Sequence, residues 1–289
     1  MNSFGNFSHH PAFLKPNGGL PCRIGLMNPK KEDINPQGSE FKGPRGWYER
    51  LLRRYQAPIL SVTLGGIYVL VAILLGLAAA PGIGFGLWLF RISDSLPMLP
   101  SLFLRGFTLF AFFFSFGFCS ILIVPLANRF VLTRLRPYRG PYFSTRVFPW
   151  FAHNILTYCV RYAFLDWITP TPFNVYFYRN MGMRIGIRTE VNTSNISDPG
   201  FITLEDEVTI GGSATIIAHY AVRGYLITAP VVIRKGATIG LRAIVMADTE
   251  IGEGAKVLPN SVVLPKTRIP AGETWAGIPA KKIEIGSEH

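Results

Sequence analysis

Residues 239–256 read IGLRAIVMADTEIGEGAK, with a branched aliphatic at every sixth position: Ile239, Val245 and Ile251, and Val257 next in the series. An α-helix repeats about every 3.6 residues and a strand every 2, so neither explains the spacing. The same frame holds for eight blocks from Ile233 to Ala280: IRKGAT, IGLRAI, VMADTE, IGEGAK, VLPNSV, VLPKTR, IPAGET and WAGIPA. Their first letters are Ile or Val until the closing Trp275, and their fifth letters are small in the first six. Six is an even number, so each unit can be a short strand plus a turn that restores side-chain phase. The first residue then points into a narrow interior, the fifth is small where walls converge, and Gly, Asn or Asp relieves the turn. One strip cannot bury its own face, but stacked coils bury it collectively, as in a solenoid. Pro259, Pro265, Pro270 and Pro279 exclude an amphipathic helix.

Upstream the repeat continues with two slips. ITLEDE, VTIGGS and ATIIAH begin at Ile202, Val208 and Ala214, while AVRGYL and ITAPVV begin at Ala221 and Ile227, in phase with Ile233. Tyr220 is the surplus residue between the two sets, directly after His219. The second slip is SDPGF, residues 197–201, after IGIRTE and VNTSNI. Slips of this kind re-aim side chains.

The rest of the chain has a different character. Of 29 basic residues 19 lie before Ile185, whereas 11 of 17 acidic residues follow it, so the net charge of +12 belongs to the first part. A nucleic-acid reader carries such charge on its folded domain, and no nucleic-acid partner is expected. Residues 58–80 contain no charge, and 102–126 contain only Arg105. Each is close to the ~20 apolar residues that cross a bilayer as a helix. Lys42, Arg45, Arg50, Arg53 and Arg54 precede the first span, and Arg129, Arg134, Arg136, Arg139 and Arg146 follow the second. Both flanks therefore belong in the cytoplasm, with the loop 81–100 on the far side. The expected organisation is a basic, poorly ordered segment 1–56, two transmembrane helices within 57–127, an interfacial aromatic helical linker 128–180 and a repeat domain 181–289. In the linker, Trp150, Phe151, Tyr158, Tyr162, Phe164 and Trp167 suit the headgroup level, with His153 among them as an interfacial side chain. Three widely spaced cysteines, Cys22, Cys119 and Cys159, form neither a disulfide framework nor a zinc pattern.

The motifs MGMRIG (181–186), ISDPGFITLEDEVTIGGSATIIAH (196–219), LITAPVVI (226–233) and WAGIPAKKI (275–283), with the six-residue register, resemble the hexapeptide-repeat acyltransferases. The likeness is to the C-terminal units of Pls/PosA-type nonribosomal peptide synthetases, which suit the two preceding spans, and to colanic-acid-type acetyltransferases. It implies a mainly β fold, a left-handed parallel β-helix after two transmembrane α-helices. It also implies a homotrimer with sites between neighbouring prisms and acyl-CoA, acetyl-CoA first, as cosubstrate. His219 matches the family's general base. Lys281 and Lys282 suit the phosphates of coenzyme A as point charges, and Gly277 and Ala280 permit close approach of the backbone. Ala243 and Ser261 are candidates for passage of the pantetheine arm, or simply tight turns. Tyr220 and Arg223, beside the base, are candidate acceptor contacts. Glu205 and Asp206 are candidates for orienting His219, with solvated turn charges as the plainer reading. A lone solenoid histidine leaves no metal site, and no Walker loop or nucleophilic serine motif is present.

The expected activity is acyl transfer to a hydroxyl or amine of a lipid-linked or amphiphilic acceptor at the cytoplasmic face of the inner membrane, with membrane lipids as partners. Two alternatives stand beside it: an amide-forming unit acting on carrier-bound aminoacyl thioesters, and a non-catalytic trimeric scaffold.

Overall fold

The computed structural model describes residues 41–132 and 135–284; the expected tail 1–40, Cys22, Arg134 and His289 lie outside them. Part of the segment expected to be poorly ordered is a helix, α1 (Gly43–Tyr55), with Pro44 in its first turn. It buries Gly46, Glu49, Leu52 and Arg53 on one face. Glu49 pairs with Arg53 at 2.5 Å and accepts hydrogen bonds from Ser144 and Thr145, which fixes α1 against the chain that leaves the apolar helices.

Two helices follow, α2 (Ala57–Ser93) and α3 (Met98–Leu132), and both are long and apolar enough to cross a membrane. They run well past the expected 58–80 and 102–126. The expected far-side loop 81–100 is helical up to Ser93, and the chain reverses over 94–97 alone. Residues 82–90 are apolar enough to continue the helix through Pro81, whose cost neighbouring structure absorbs. At ~1.5 Å per residue each helix is about 50–55 Å long, against ~30 Å of hydrocarbon. Gly82 and Gly86 let α3 close in: a Cβ there would stand 3.0 Å from the Phe112 ring and 3.2 Å from Thr108 Cγ2.

After β1 (Tyr138–Pro141) comes α4 (Phe148–Val160), which runs through a π-turn over Arg161–Leu165 into α5 (Asp166–Ile168). Helix α6 (Pro172–Asn180) then leads into the solenoid. This segment is not a purely interfacial linker. Tyr162 and Trp167 are exposed, but Phe164 is fully buried against Phe113, Phe114 and Phe118 of α3. His153, Asn154, Thr157 and Val160 are buried on another face of α4.

The solenoid has three parallel faces. The first coil holds β2 (Arg184–Ile185), β3 (Glu190–Val191) and β4 (Ile196–Ser197); the second β5 (Ile202–Leu204), β6 (Thr209–Ile210) and β7 (Thr215–Ile217). Between the second and third coils stand β8 (His219–Val222) and β9 (Tyr225–Thr228). The third coil holds β10 (Val231–Ile233), β11 (Thr238–Ile239) and β12 (Ile244–Val245); the fourth β13 (Thr249–Ile251), β14 (Lys256–Val257) and β15 (Val262–Val263). The last turn has β16 (Arg268–Ile269) and β17 (Thr274–Gly277), closed by the antiparallel β18 (Ala280–Ile283). The sheet orders are β16-β13-β10-β5-β2, β18-β17-β14-β11-β6-β3 and β15-β12-β7-β4.

The six-residue register accounts for these columns. Ile233, Ile251 and Ile269 stack on one face, Ile239 and Val257 on the next, and Val245 and Val263 on the third, all buried. The fourth position of each six-residue block from Ile233 on, namely Gly236, Arg242, Asp248, Gly254, Asn260, Lys266 and Gly272, is left-handed, with φ between 55° and 71°. That residue turns the corner and returns the next aliphatic to the interior. Trp275, in register with Val257, partly covers the open end of the interior and donates to Glu273 at 2.9 Å.

Two readings of the upstream repeat need correction. Leu204, Ile210 and Ile216, not Ile202, Val208 and Ala214, align with Ile233, Ile239 and Val245. First and fifth positions both face inward, and all six residues are buried, so aliphatic spacing alone fits either frame. AVRGYL and ITAPVV are not repeat units. Most of their residues form the hairpin β8–β9, which turns at Arg223 (φ 48°) and Gly224 (φ 77°), the two-residue left-handed pattern of tight hairpins. Its second strand β9 pairs antiparallel with β1, giving a sheet β1-β9-β8 that ties the helical region to the solenoid.

Candidate functional site

The two slips in the repeat meet in space. The first, at SDPGF, becomes a short 3-10 turn (Pro199–Phe201) preceded by Asp198 in left-handed backbone (φ 62°). The second begins at His219, the first residue of the excursion. The turn swings Asp198 under His219, and His219 Nδ1 lies 2.6 Å from Asp198 Oδ2. The carboxylate is fully buried, while the His219 side chain remains 25% exposed. Because the carboxylate only accepts, Nδ1 carries the proton of this bond, and in the neutral imidazole the free lone pair is then on Nε2.

Helix α4 holds that carboxylate from the other side. Trp150 Nε1 and Asn154 Nδ2 each donate to Asp198 Oδ1 at 2.7 Å, and the Ala218 backbone N–H donates to Oδ2 at 3.1 Å. The Trp150 ring also stands edge-on to the His219 imidazole, 5.0 Å between centroids. Burial pushes the Asp198 carboxyl up, but the bonds from His219, Asn154 and Trp150 outweigh it and hold the group below the usual carboxylate range.

His153 occupies the same face of α4 and is not interfacial. It is fully buried; Nδ1 faces Asn128 Oδ1 at 2.9 Å, and Nε2 accepts from Gly200 N–H at 3.3 Å. It thereby pins the turn that carries Asp198. Burial lowers its pKa from 6.5 to about 4, opposed in part by the nearby Asp198 charge. The unfolded chain takes up this proton as pH falls below 6.5, whereas the native state resists until about 4. Stability is therefore full above pH 6.5 and falls as pH drops from there towards 4. A His153→Gln variant, which retains an acceptor, should show a pH 7 to pH 5 stability loss about 2 kcal/mol smaller than the parent's, measured by thermal unfolding in detergent. An identical loss in both proteins would refute the assignment.

The remaining candidates are scattered. Tyr220, next to His219 on β8, packs on Ile227, Ala229 and Ala247, and Arg223 is exposed at the hairpin tip. Ala243 and Ser261 are fully buried inside the coils, and Ser261 Oγ accepts from Gly277 N–H at 3.2 Å. Their side chains therefore line no groove, a consequence of the inward fifth position. Gly277 (φ 99°) and Ala280 bracket the final β17–β18 turn. Lys281 and Lys282 are exposed on β18, and Lys282 pairs with Glu273 at 2.9 Å. Glu205 and Asp206 do not reach His219: Glu205 binds Arg234 at 2.6 Å, and Asp206 accepts from Ile187 N–H at 2.7 Å. Among the described residues no cluster of His, Cys, Asp or Glu could hold a metal ion, and Cys119 and Cys159 are free thiols.

Sequence reasoning missed Asp198, Trp150 and Asn154. The signal for Asp198 was the slip itself, an acidic residue at the one other break in the register. Trp150, His153, Asn154 and Tyr158 share one helical face, and Tyr158 Oη shares a 2.7 Å hydrogen bond with Ser197 Oγ. Polar atoms repeated at that spacing indicate a face docked on protein rather than on lipid.

No protein-family model matches the chain. It is similar to hexapeptide-repeat acyltransferases. One relative is the delta-poly-L-ornithine synthetase of Acinetobacter baumannii, 24% identical over 168 residues, which are 57% of this chain and 12% of that protein. Another is the serine acetyltransferase of Buchnera aphidicola subsp. Schizaphis graminum, 32% identical over 122 residues, 42% of this chain and 45% of that protein. The chain thus spans less than half the length of either relative. Among solved structures, a hexapeptide-repeat acetyltransferase of Vibrio cholerae O1 biovar eltor, complexed with acetyl coenzyme A, is 28% identical. That match covers 36% of this chain and 60% of the other, with a TM-score of 0.33.

Proposed function

We propose that the protein is a membrane-anchored acyltransferase that moves an acyl group, acetyl first, from acyl-CoA to a hydroxyl or amine. The observation that carries this reading is the Asp198–His219 pair at the break between the second and third coils. A buried carboxylate fixes the tautomer of a partly exposed imidazole, the arrangement of a general base. His219 Nε2 takes the proton of the acceptor O–H or N–H as that atom attacks the thioester carbonyl. The C–S bond then breaks, and the departing thiolate takes the proton back from the imidazolium. Asp198 stabilises the imidazolium in between.

Tyr220 and Arg223, on the hairpin beside the base, are the proposed acceptor contacts. Gly277, Ala280, Lys281 and Lys282 are the proposed coenzyme A contacts, with Ala243 and Ser261 offering backbone only. The coils wind left-handed, and three chains assemble with sites between their prisms. The two apolar helices cross the inner membrane, and the basic flanks keep both termini and the solenoid in the cytoplasm. An amphiphilic or lipid-linked acceptor follows from that placement.

A second reading draws on the ornithine synthetase relative. That similarity covers 168 residues, more than the run from Arg184 to Ile283, so it takes in part of the helical region too. In that reading the donor is a carrier-bound aminoacyl thioester and the product an amide.

Equilibrium binding of coenzyme A to the detergent-purified chain, followed by thiol release from acetyl-CoA with hydroxyl and amine acceptors, tests both. Micromolar binding with acceptor-dependent release is expected. Binding only to loaded carrier proteins would replace the first reading with the second, and binding to neither would leave a scaffold.

A further inference from the structure

Where α3, α6 and the first coil meet lies a cavity of about 870 Å³ that the acyl-transfer reading does not use. One wall is apolar and belongs to the long helix and its neighbour: Phe118 and Leu122 of α3, and Phe173 of α6. Leu122 and Phe173 are exposed, so this wall opens on the side of the apolar helix surface. The inner wall is polar. Asn174 is fully buried, and its amide N–H donates to Val191 C=O at 2.9 Å, which fixes the amide's orientation. Its Oδ1 has no hydrogen-bond partner among the described residues, nor does the buried Oγ1 of Thr171 beside it. A buried acceptor without a donor costs free energy, and a ligand that supplies N–H or O–H relieves it. At the coil edge the lining adds Arg179, Arg188 and Glu190, a rim with both signs of charge.

We propose that this cavity binds a membrane phospholipid whose headgroup carries a primary ammonium, as phosphatidylethanolamine does. The acyl chain lies along Phe118, Leu122 and Phe173. The phosphate meets the guanidinium groups of Arg179 and Arg188, and the ammonium reaches Asn174 Oδ1, Thr171 Oγ1 and the Glu190 carboxylate. Arg179 already donates to Ile185 and Gly186 carbonyls and Arg188 to Glu207, but a guanidinium has N–H groups to spare. The proposal rests on α2 and α3 spanning a membrane, though not on acyl transfer.

The test is native mass spectrometry of the full chain, purified in detergent and given equal amounts of phosphatidylethanolamine and phosphatidylcholine. Both are zwitterionic, but the trimethylated headgroup has no N–H to donate. Ethanolamine adducts should exceed choline adducts about tenfold, the scale of one charge-assisted hydrogen bond. Leu122→Trp, at the exposed mouth, should abolish the excess without disturbing the fold, and Thr171→Val should reduce it. Equal retention of the two lipids, or an excess indifferent to Leu122→Trp, overturns the proposal. So does a Tyr176→Cys variant that links copies by a disulfide, because a second chain would then cover the cavity. A chain that stays in solution without detergent refutes the membrane placement and this inference together, leaving the acyl-transfer reading intact.

Discussion

Replacing His219 with alanine should lower kcat for acyl transfer by about 10²–10⁴, the usual contribution of a positioned general base, while leaving coenzyme A affinity unchanged. The two measurements separate a proton acceptor from a binding residue: removing an interaction made equally in ground and transition states raises KM instead. The His219 side chain is only partly buried and lies outside the repeat's interior columns, so its removal should leave the melting temperature close to the parent's. An alanine variant with unchanged kcat would remove His219 from the mechanism, and with it the observation on which the function rests.

Asp198 should behave differently, because it is both buried and surrounded by donors. Asp198→Ala leaves Trp150 Nε1–H, Asn154 Nδ2–H, Ala218 N–H and His219 Nδ1–H without their acceptor. Each unmet buried donor costs about 1–3 kcal/mol, so the variant should lose roughly 3–5 kcal/mol and unfold well below the parent temperature. Asp198→Asn keeps the shape. Its amide oxygen can still accept from Trp150 and Asn154, but its NH₂ then faces His219 Nδ1. The imidazole must switch tautomer and carry its proton on Nε2, where the base is needed. The asparagine variant leaves only the Ala218 N–H without an acceptor, so it should lose about 1–3 kcal/mol, less than the alanine variant, yet lose about 10²–10⁴ in kcat. Full activity in Asp198→Asn would show that tautomer control is irrelevant here. Parent-like stability in Asp198→Ala would show that the buried donors find other partners.

Helix α4 gains a role from the same geometry. Through Trp150, Asn154 and His153 it grips the turn carrying Asp198, and through Phe164 beyond it the chain packs on α3. The segment that looked like a headgroup belt is thus a wall of the candidate site. Aromatic composition could not distinguish the two, because Trp and Tyr suit a lipid interface and a buried polar contact equally well.

The six-residue spacing by itself determined the solenoid. A period that matches neither helix nor strand, with small fifth positions and frequent prolines, admits few other backbones. The two apolar runs likewise announced their helices, although Pro81 hid how far the first one extends. His219 was legible because it stands at a break in an otherwise regular pattern. Three things were decided only by tertiary structure. The frame of the second coil was ambiguous because first and fifth positions both face inward. The excursion 219–228 passed for repeat because Ala221 and Ile227 fall at six-residue steps before Ile233, although its second strand, β9, pairs with β1, which lies 84–90 residues earlier. The partner of His219 was invisible because Asp198 reaches it only when two consecutive coils stack. Contacts between coils depend on where a turn aims a side chain, and that direction is set by the stack as a whole, not by the local sequence.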